Sequence, residues 1–251
     1  MIPKIIHYFW FGDNEIPDND KKNIETWKKY CPDYEIKLWN EKNYVLPDVV
    51  YVKDAAKMKK WGHVCDYARL DVLYKYGGIY FDTDVEVIKS FDELLKYKGF
   101  IGFENQVNVN TGQGVGAEPG NITIKGMMDA YLSRKFILKD GTCDLTPCPE
   151  INTEYLVEKG LIQNNTRQTV EELEVFPTQY FCPKHILTGK ITITSETYSI
   201  HHFAGNWFEP EKKKKMQRSE TIRNIFGMKL GNLIVDAIVF LGAIKNKILK
   251  K

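Results

Sequence analysis

The segment Gly77-Gly78-Ile79-Tyr80-Phe81-Asp82-Thr83-Asp84 sets two carboxylates two residues apart behind a run of hydrophobic side chains. Along an extended chain side chains alternate in direction, which sends Tyr80, Asp82 and Asp84 to one face and Ile79, Phe81 and Thr83 to the other. Two carboxylates sharing a face repel one another unless water or a cation intervenes, and hard oxygen ligands select Mg²⁺ or Mn²⁺. Just upstream, residues 62–76 have helical spacing, with Cys65, Ala68, Val72, Leu73 and Tyr76 on a broad apolar face and Asp71 and Lys75 opposite, toward water. Asp66 and Arg69 fall on the apolar side, where an unpaired charge is strongly disfavoured, so they need partners inside. Those partners are either each other, at i, i+3 spacing, or a ligand whose cleft they line.

The glycine pair ends this helix and leads directly into the strand that carries the aspartates, so chain continuity brings both charged pairs to one end of a sheet. Asp-x-Asp alone is common in acidic turns; the contiguous block over 61–90 is far more specific. Further elements follow from pattern: a buried strand over 4–11, a helix over 18–30 that stops before Cys31-Pro32, and a strand over 34–39. Helical spacing runs over 54–76 with an interruption near Gly62, a strand over 79–84 continues extended to 88, a helix covers 91–96, and a short strand covers 99–103. Alternating strands and helices predict an α/β layer architecture with a mostly parallel central sheet, whose ligand crevice lies at the carboxyl ends of the strands. Residues 105–121, rich in Gly, Asn and Gln, read as a long polar loop bordering that crevice. Glu104, at a strand end, is a candidate for binding an acceptor.

With 251 residues, 43% of them hydrophobic, the chain can bury one sizeable core, and a formal charge of +2 gives no field that argues for nucleic acid. The odd count of five cysteines, without metal-type spacing, fits reduced thiols in the cytosol. The first twelve residues do not have the h-region of a secretory signal. His201 and His202 lie on an expected strand, so one ring can join the aspartates, and His202 is the one favoured. His7, His63 and His185 read as structural.

The block GHVCDYARLDVLYKYGGIYFDTDVEV resembles the sugar-binding region of glycosyltransferase family 32, which includes mannosyltransferases and bacterial capsule or lipooligosaccharide transferases; the glucosylating domain of the large clostridial toxins is a more distant relative. The opening IPKIIHYFWFG with KLWNEKN is similar to the family's amino-terminal signature, and IHHFAGNW to its closing element. The resemblance implies a GT-A fold, a nucleotide-sugar donor (a UDP-sugar favoured), Mn²⁺ or Mg²⁺, and retention of anomeric configuration. By position it implies that Trp10 stacks on the base, that Asp66 and Arg69 contact sugar and diphosphate, and that Tyr80 supports the donor. It further implies that Asp82 serves ribose and metal waters, Asp84 and His202 ligate the metal, and Trp207 closes over the phosphates. Asn206 departs from the serine usual before that tryptophan. Capsule or other surface polysaccharide assembly is the context the resemblance suggests, with a glycan or lipid-linked acceptor.

The run Lys212-Lys213-Lys214-Lys215 precedes a segment over 229–251 with helical spacing, too short in its apolar stretch to span a bilayer. A transferase domain over 1–210 and a basic amphipathic helical tail over 211–251 are expected, the tail suiting an anionic membrane surface on the cytoplasmic side. Two other readings compete: a catalytically silent carbohydrate or membrane adaptor of the same fold, and a haloacid dehalogenase-type phosphohydrolase. The second wants Thr or Val where Glu86 stands and a later Gly-Asp-x-x-x-Asp, which is absent.

Overall fold

The structure, a computed structural model, describes residues 1–205 and 210–248, and in the last helix the side chains of 211 and 213–238. The chain divides into two compact units, Met1–Pro183 with Ile193–His202, and Lys184–Thr192 with Phe203–Lys251.

In the first unit the elements run β1 (Ile5–Phe9), α1 (Asp18–Tyr30), β2 (Glu35–Trp39), α2 (Val50–Lys57), α3 (Trp61–Tyr76), β3 (Gly78–Tyr80) and β4 (Val85–Val87). A single 3₁₀ turn (Asp92–Leu94), β5 (Gly99–Phe103), β6 (Val109–Asn110), β7 (Val115–Ala117), α4 (Ile122–Asp129) and α5 (Cys148–Glu158) come next. Last are β8 (Gln168–Val170), β9 (Leu173–Phe176) and β10 (Ser199–His201). The main sheet has the order β2-β1-β3-β7-β5-β9-β8, with β6 beside β5, while β4 and β10 form a separate ribbon. β1 runs parallel to both β2 and β3, and β5 parallel to β9; β7 is antiparallel to both β3 and β5. The carboxyl ends of β1, β3 and β5 therefore share one edge, the rim on which the site is built.

Alternation along the strands divides the core between the two faces of the sheet. Ile6, Ile79, Phe81 and Phe100 pack with Trp27 of α1 on one side; Phe9, Tyr80, Ile101 and Phe103 pack with α3, α4 and α5 on the other. Burial on both faces is what the near-continuous hydrophobic strands demand. The α/β reading is met.

Several local expectations change. The helical stretch expected over 54–76 breaks into α2 and α3 at Met58–Lys60, where Lys59 takes φ 54°, rather than at Gly62. The strand expected to reach Asp84 ends at Tyr80, and residues 91–96 hold one 3₁₀ turn in place of a helix. The polar stretch 105–121 is not a surface loop: it supplies β6 and β7, and Thr111 and Gln113 are fully buried. Asp71, expected to face water, is 4% exposed, because Tyr44 donates to it at 3.0 Å and Lys75 pairs with it at 2.8 Å.

Gly77 and Gly78 (φ 65° and 100°) make the α3-to-β3 corner that carries the site block. A Cβ on Gly78 would stand 2.6 Å from the Ile5 carbonyl, and one on Gly77 2.6 Å from the Pro119 ring, so only glycine lets β3 start against β1 here.

The second unit contains α6 (Pro210–Ile248), broken at Gly227, whose φ of 73° and ψ of 170° are non-helical. Arg223 Nε donates to Asn232 Oδ1 across the break at 2.8 Å. Ile225, Phe226, Leu230 and Leu233 are exposed on either side of it. No helix among the described residues is long and apolar enough to cross a membrane.

Candidate active site

Because β3 ends at Tyr80, Asp82 and Asp84 stand on the turn that joins it to β4. The turn is closed by the Val85 amide on the Asp82 carbonyl at 3.1 Å, and the Asp82 amide donates to the Gly112 carbonyl at 2.8 Å. Helix α1 clamps the turn from behind. The Thr83 hydroxyl donates to the buried Asp20 at 2.6 Å, Asn23 Nδ2 to the Thr83 carbonyl at 3.0 Å, and the Trp27 indole to the Val85 carbonyl at 2.8 Å. Thr83 is thus turned toward α1, held there by these contacts rather than by strand alternation.

Asp82 is held from two sides. The Tyr80 hydroxyl donates to its Oδ1 at 2.7 Å, and Arg69 Nη2 lies 3.3 Å from the same oxygen. The same Nη2 lies 3.1 Å from Asp66 Oδ1, so the two charges on the apolar side of α3 do pair, and the pair extends to the rim. Arg69 spends its remaining donors on the Cys65 carbonyl at 3.1 Å, Thr111 Oγ1 at 3.3 Å and Cys148 Sγ at 3.5 Å. Burial opposes its charge, but Asp82, Tyr80, Cys148 and Asp66 outweigh that effect and hold the guanidinium well above its ordinary value. Burial likewise lifts the Tyr80 phenol, with Asp82 adding to it, and raises Asp66 despite the opposing Arg69 and His63 charges. The Arg69 side chain is 5% exposed. Its fork is committed to protein oxygens and the Cys148 sulfur rather than displayed to a ligand.

On the other side, Asp84 meets His201. The β4–β10 register sets His201 opposite Val85 and Ile200 opposite Glu86, and the His201 Nε2 lies 3.3 Å from Asp84 Oδ1. Burial lowers the His201 proton affinity, yet the Asp84 carboxylate and the Cys182 thiol more than compensate, leaving it well above the usual imidazole range. Asp82, Asp84 and His201 each offer one ligand atom, all within 4.8 Å of one another. Two carboxylates and an imidazole form a donor set of the kind that holds a divalent cation.

His202, the histidine favoured from sequence, is a correction. Its ring is 2.9 Å from Glu86 Oε2, while its amide donates to the Asp84 carbonyl at 3.0 Å. Alternation separates the two rings as expected; the pairing register with β4 decides which one meets the aspartates, and no local pattern encodes that register.

Trp10 is half-buried just past β1 on the same rim, its indole donating to the Asn14 carbonyl at 2.6 Å. Trp207 and Asn206 lie outside the described residues. Of the histidines read as structural, His7 is enclosed, Nε2 donating to the Gly77 carbonyl at 2.8 Å and Nδ1 accepting from the Trp39 indole at 3.0 Å. His63 is 3.2 Å from the Tyr51 hydroxyl and 3.7 Å from Asp66.

Three site residues escape the sequence pattern: Asn110, Thr111 and Gly112. Asn110 Oδ1 accepts from the Gly112 amide at 2.6 Å, its Nδ2 donates to Glu104 Oε2 at 2.6 Å, and a Cβ on Gly112 would fall 2.1 Å from Asp82 Oδ2. A glycine between Thr111 and Gln113, in a stretch whose composition reads as loop, is the signal the sequence offers. Burial raises the Glu104 carboxyl, opposed by the His201 charge and the Asn110 hydrogen bond.

Residues 17–101 match the family described as glycosyltransferase sugar-binding region containing DXD motif. An uncharacterized glycosyltransferase of Acanthamoeba polyphaga mimivirus is 31% identical over 221 residues, 82% of this chain and 84% of that protein. Inositol phosphoceramide mannosyltransferase 3 of Schizosaccharomyces pombe is 35% identical over 104 residues, 40% of this chain, and the match spans only 29% of the relative's length. Among solved structures, the PaToxG glycosyltransferase superposes with a TM-score of 0.50 at 21% identity, over 63% of this chain and 69% of that one, a likeness of fold.

Proposed function

This chain belongs to the glycosyltransferases whose sugar-binding region contains the DXD motif, and from that membership we propose that it moves a hexose from a nucleotide sugar to a glycan or lipid-linked acceptor. Its α/β fold is of the GT-A type. A UDP-sugar is the donor in this reading, anomeric configuration is retained, and Asp82, Asp84 and His201 hold Mn²⁺ or Mg²⁺. The observation that carries it is the convergence of those three side chains within 4.8 Å on the rim. A divalent cation bound there neutralises charge that develops on the departing diphosphate.

The chain's own residues prepare the site. Tyr80 and Arg69 fix Asp82 before any ligand arrives, so no reorganisation is needed when charge moves. Arg69, enclosed by Asp66, Thr111 and Cys148, acts in this proposal as a positioning residue for Asp82, with Asp66 holding Arg69 in turn. Trp10 offers an aromatic face for the nucleobase, and Trp207 is assigned by resemblance to the phosphates.

Surface polysaccharide synthesis is the proposed setting, with the chain peripheral on the cytoplasmic side of a membrane. The mannosyltransferase name of the yeast relative supports a lipid-borne acceptor and adds activated mannose to the donors worth testing. The basic run before the break in α6, with exposed Ile225, Phe226, Leu230 and Leu233 beside it, supports contact of residues 211–251 with an anionic leaflet.

Purified protein incubated with Mn²⁺ and a panel of UDP-hexoses and nucleotide-activated mannose is expected to release nucleoside diphosphate slowly even without an acceptor. Silence across the panel together with no metal-dependent nucleotide binding would favour a catalytically silent adaptor. Co-sedimentation with phosphatidylserine vesicles, and not with phosphatidylcholine vesicles, is the expected result for the tail.

A further inference from the structure

Glu104 lies one residue beyond β5, on the edge shared with the Asp82–Asp84 turn, because β3 and β5 both run antiparallel to β7. A chain of contacts joins it to the proposed metal site. Asn110 Nδ2 donates to Glu104 Oε2 at 2.6 Å, the Gly112 amide donates to Asn110 Oδ1 at 2.6 Å, and the Gly112 carbonyl accepts the Asp82 amide at 2.8 Å. The side chain is half-buried, and His201 is the cationic group whose field reaches it.

Its two oxygens are used unequally. Oε2 is anchored by Asn110, whereas Oε1 has among the described residues only Asn105 Nδ2, at 3.4 Å. No Lys or Arg among the described residues pairs with it. A half-buried carboxylate with one oxygen pinned and the other lightly held is ready to accept from an incoming hydroxyl, which would displace only water.

We propose that Glu104 binds and orients the attacking hydroxyl, that of a saccharide acceptor during transfer and that of water during donor hydrolysis. This rests on the transferase reading of the site. In the step it serves, the hydroxyl oxygen bonds to the anomeric carbon as the carbon–oxygen bond to the diphosphate breaks. The bonding pair leaves on the phosphate oxygen, and the hydroxyl proton gives up its hydrogen bond to Glu104 as the new bond forms and passes to that oxygen, which stands on the same face when configuration is retained.

The test uses the full chain with Mn²⁺, the nucleotide sugar it hydrolyses fastest, and water as nucleophile. Glu104→Ala is expected to lower kcat for hydrolysis roughly a hundredfold, with donor KM, Mn²⁺-dependent UDP binding and melting temperature unchanged. Glu104→Gln, which keeps an acceptor oxygen, restores part of the rate. A wild-type rate in the alanine variant overturns the proposal. So does a rate loss matched by an equal loss of UDP affinity, since that is what disturbance of Asp82 through Asn110 would produce. A wild-type chain that binds no UDP with Mn²⁺ overturns the transferase reading itself, a result distinct from either.

Discussion

Behind the rim, Arg69 and His7 have every nitrogen engaged by protein: Arg69 by Asp66, Asp82, Thr111, Cys148 and the Cys65 carbonyl, His7 by Trp39 and Gly77. On the rim, Asp84 and His201 are nearly as enclosed and the Asp82 side chain is 32% exposed, yet the three direct ligand atoms into one small volume. Burial alone therefore does not distinguish a structural charge from a functional one. What distinguishes them is whether several acids and bases converge on a common point.

The contrast can be broken most severely at Arg69. Arg69→Met removes one partner of a buried ion pair and is expected to cost about 3–5 kcal/mol of stability, read by urea unfolding; a smaller cost would mean that solvent or Asp66 protonation takes over. Asp84→Asn works on the other region and keeps the volume and a hydrogen-bond acceptor toward His201. It should lower donor hydrolysis by on the order of a thousandfold, with a melting temperature close to wild type. Parallel loss of both would move Asp84 into the structural set.

His7 gives a pH test of the enclosed region. Burial lowers its pKa from 6.5 to about 4, so the unfolded chain binds the extra proton between those values and the native chain does not. Its contribution is complete above pH 6.5 and is lost as pH falls toward 4, by roughly 3 kcal/mol in all. Unfolding free energies of wild type and His7→Gln at pH 7 and pH 4.5 should converge on the acid side; equal slopes would show that His7 carries no such linkage. The smallest effect separates the adjacent histidines. His201→Ala should weaken Mn²⁺-dependent UDP binding by about 10–100-fold, while His202→Ala leaves it near wild type, and the reverse order would restore the sequence-based choice.

Much of the rim block was legible because its signals are local. Helical spacing over α3, the Gly77-Gly78 corner and the hydrophobic approach to Asp82 each depend on neighbours a few residues away, and each appears where expected. The buried charges on α3 also required partners, and Arg69 finds them in Asp66 and Asp82. The stretch over 105–121 reads as loop from sequence because polar composition mimics one. Its side chains are instead consumed inside: Gln113 donates to the Gly102 and Phe103 carbonyls at 2.9 and 3.0 Å, and Asn121 caps α4.

Periodicity and glycine placement thus determined that two aspartates would leave a buried strand beside a helix bearing an internal acid and arginine, since backbone sterics and apolar spacing act over a few residues. Which histidine joins them, that Asn110 and Gly112 brace Asp82, and that Asp71 turns inward to Tyr44 were settled only by tertiary structure. Those outcomes depend on the β4–β10 register and on the pairing of β6 and β7 with β5, contacts between residues far apart in the chain whose alignment is chosen by packing of the whole core.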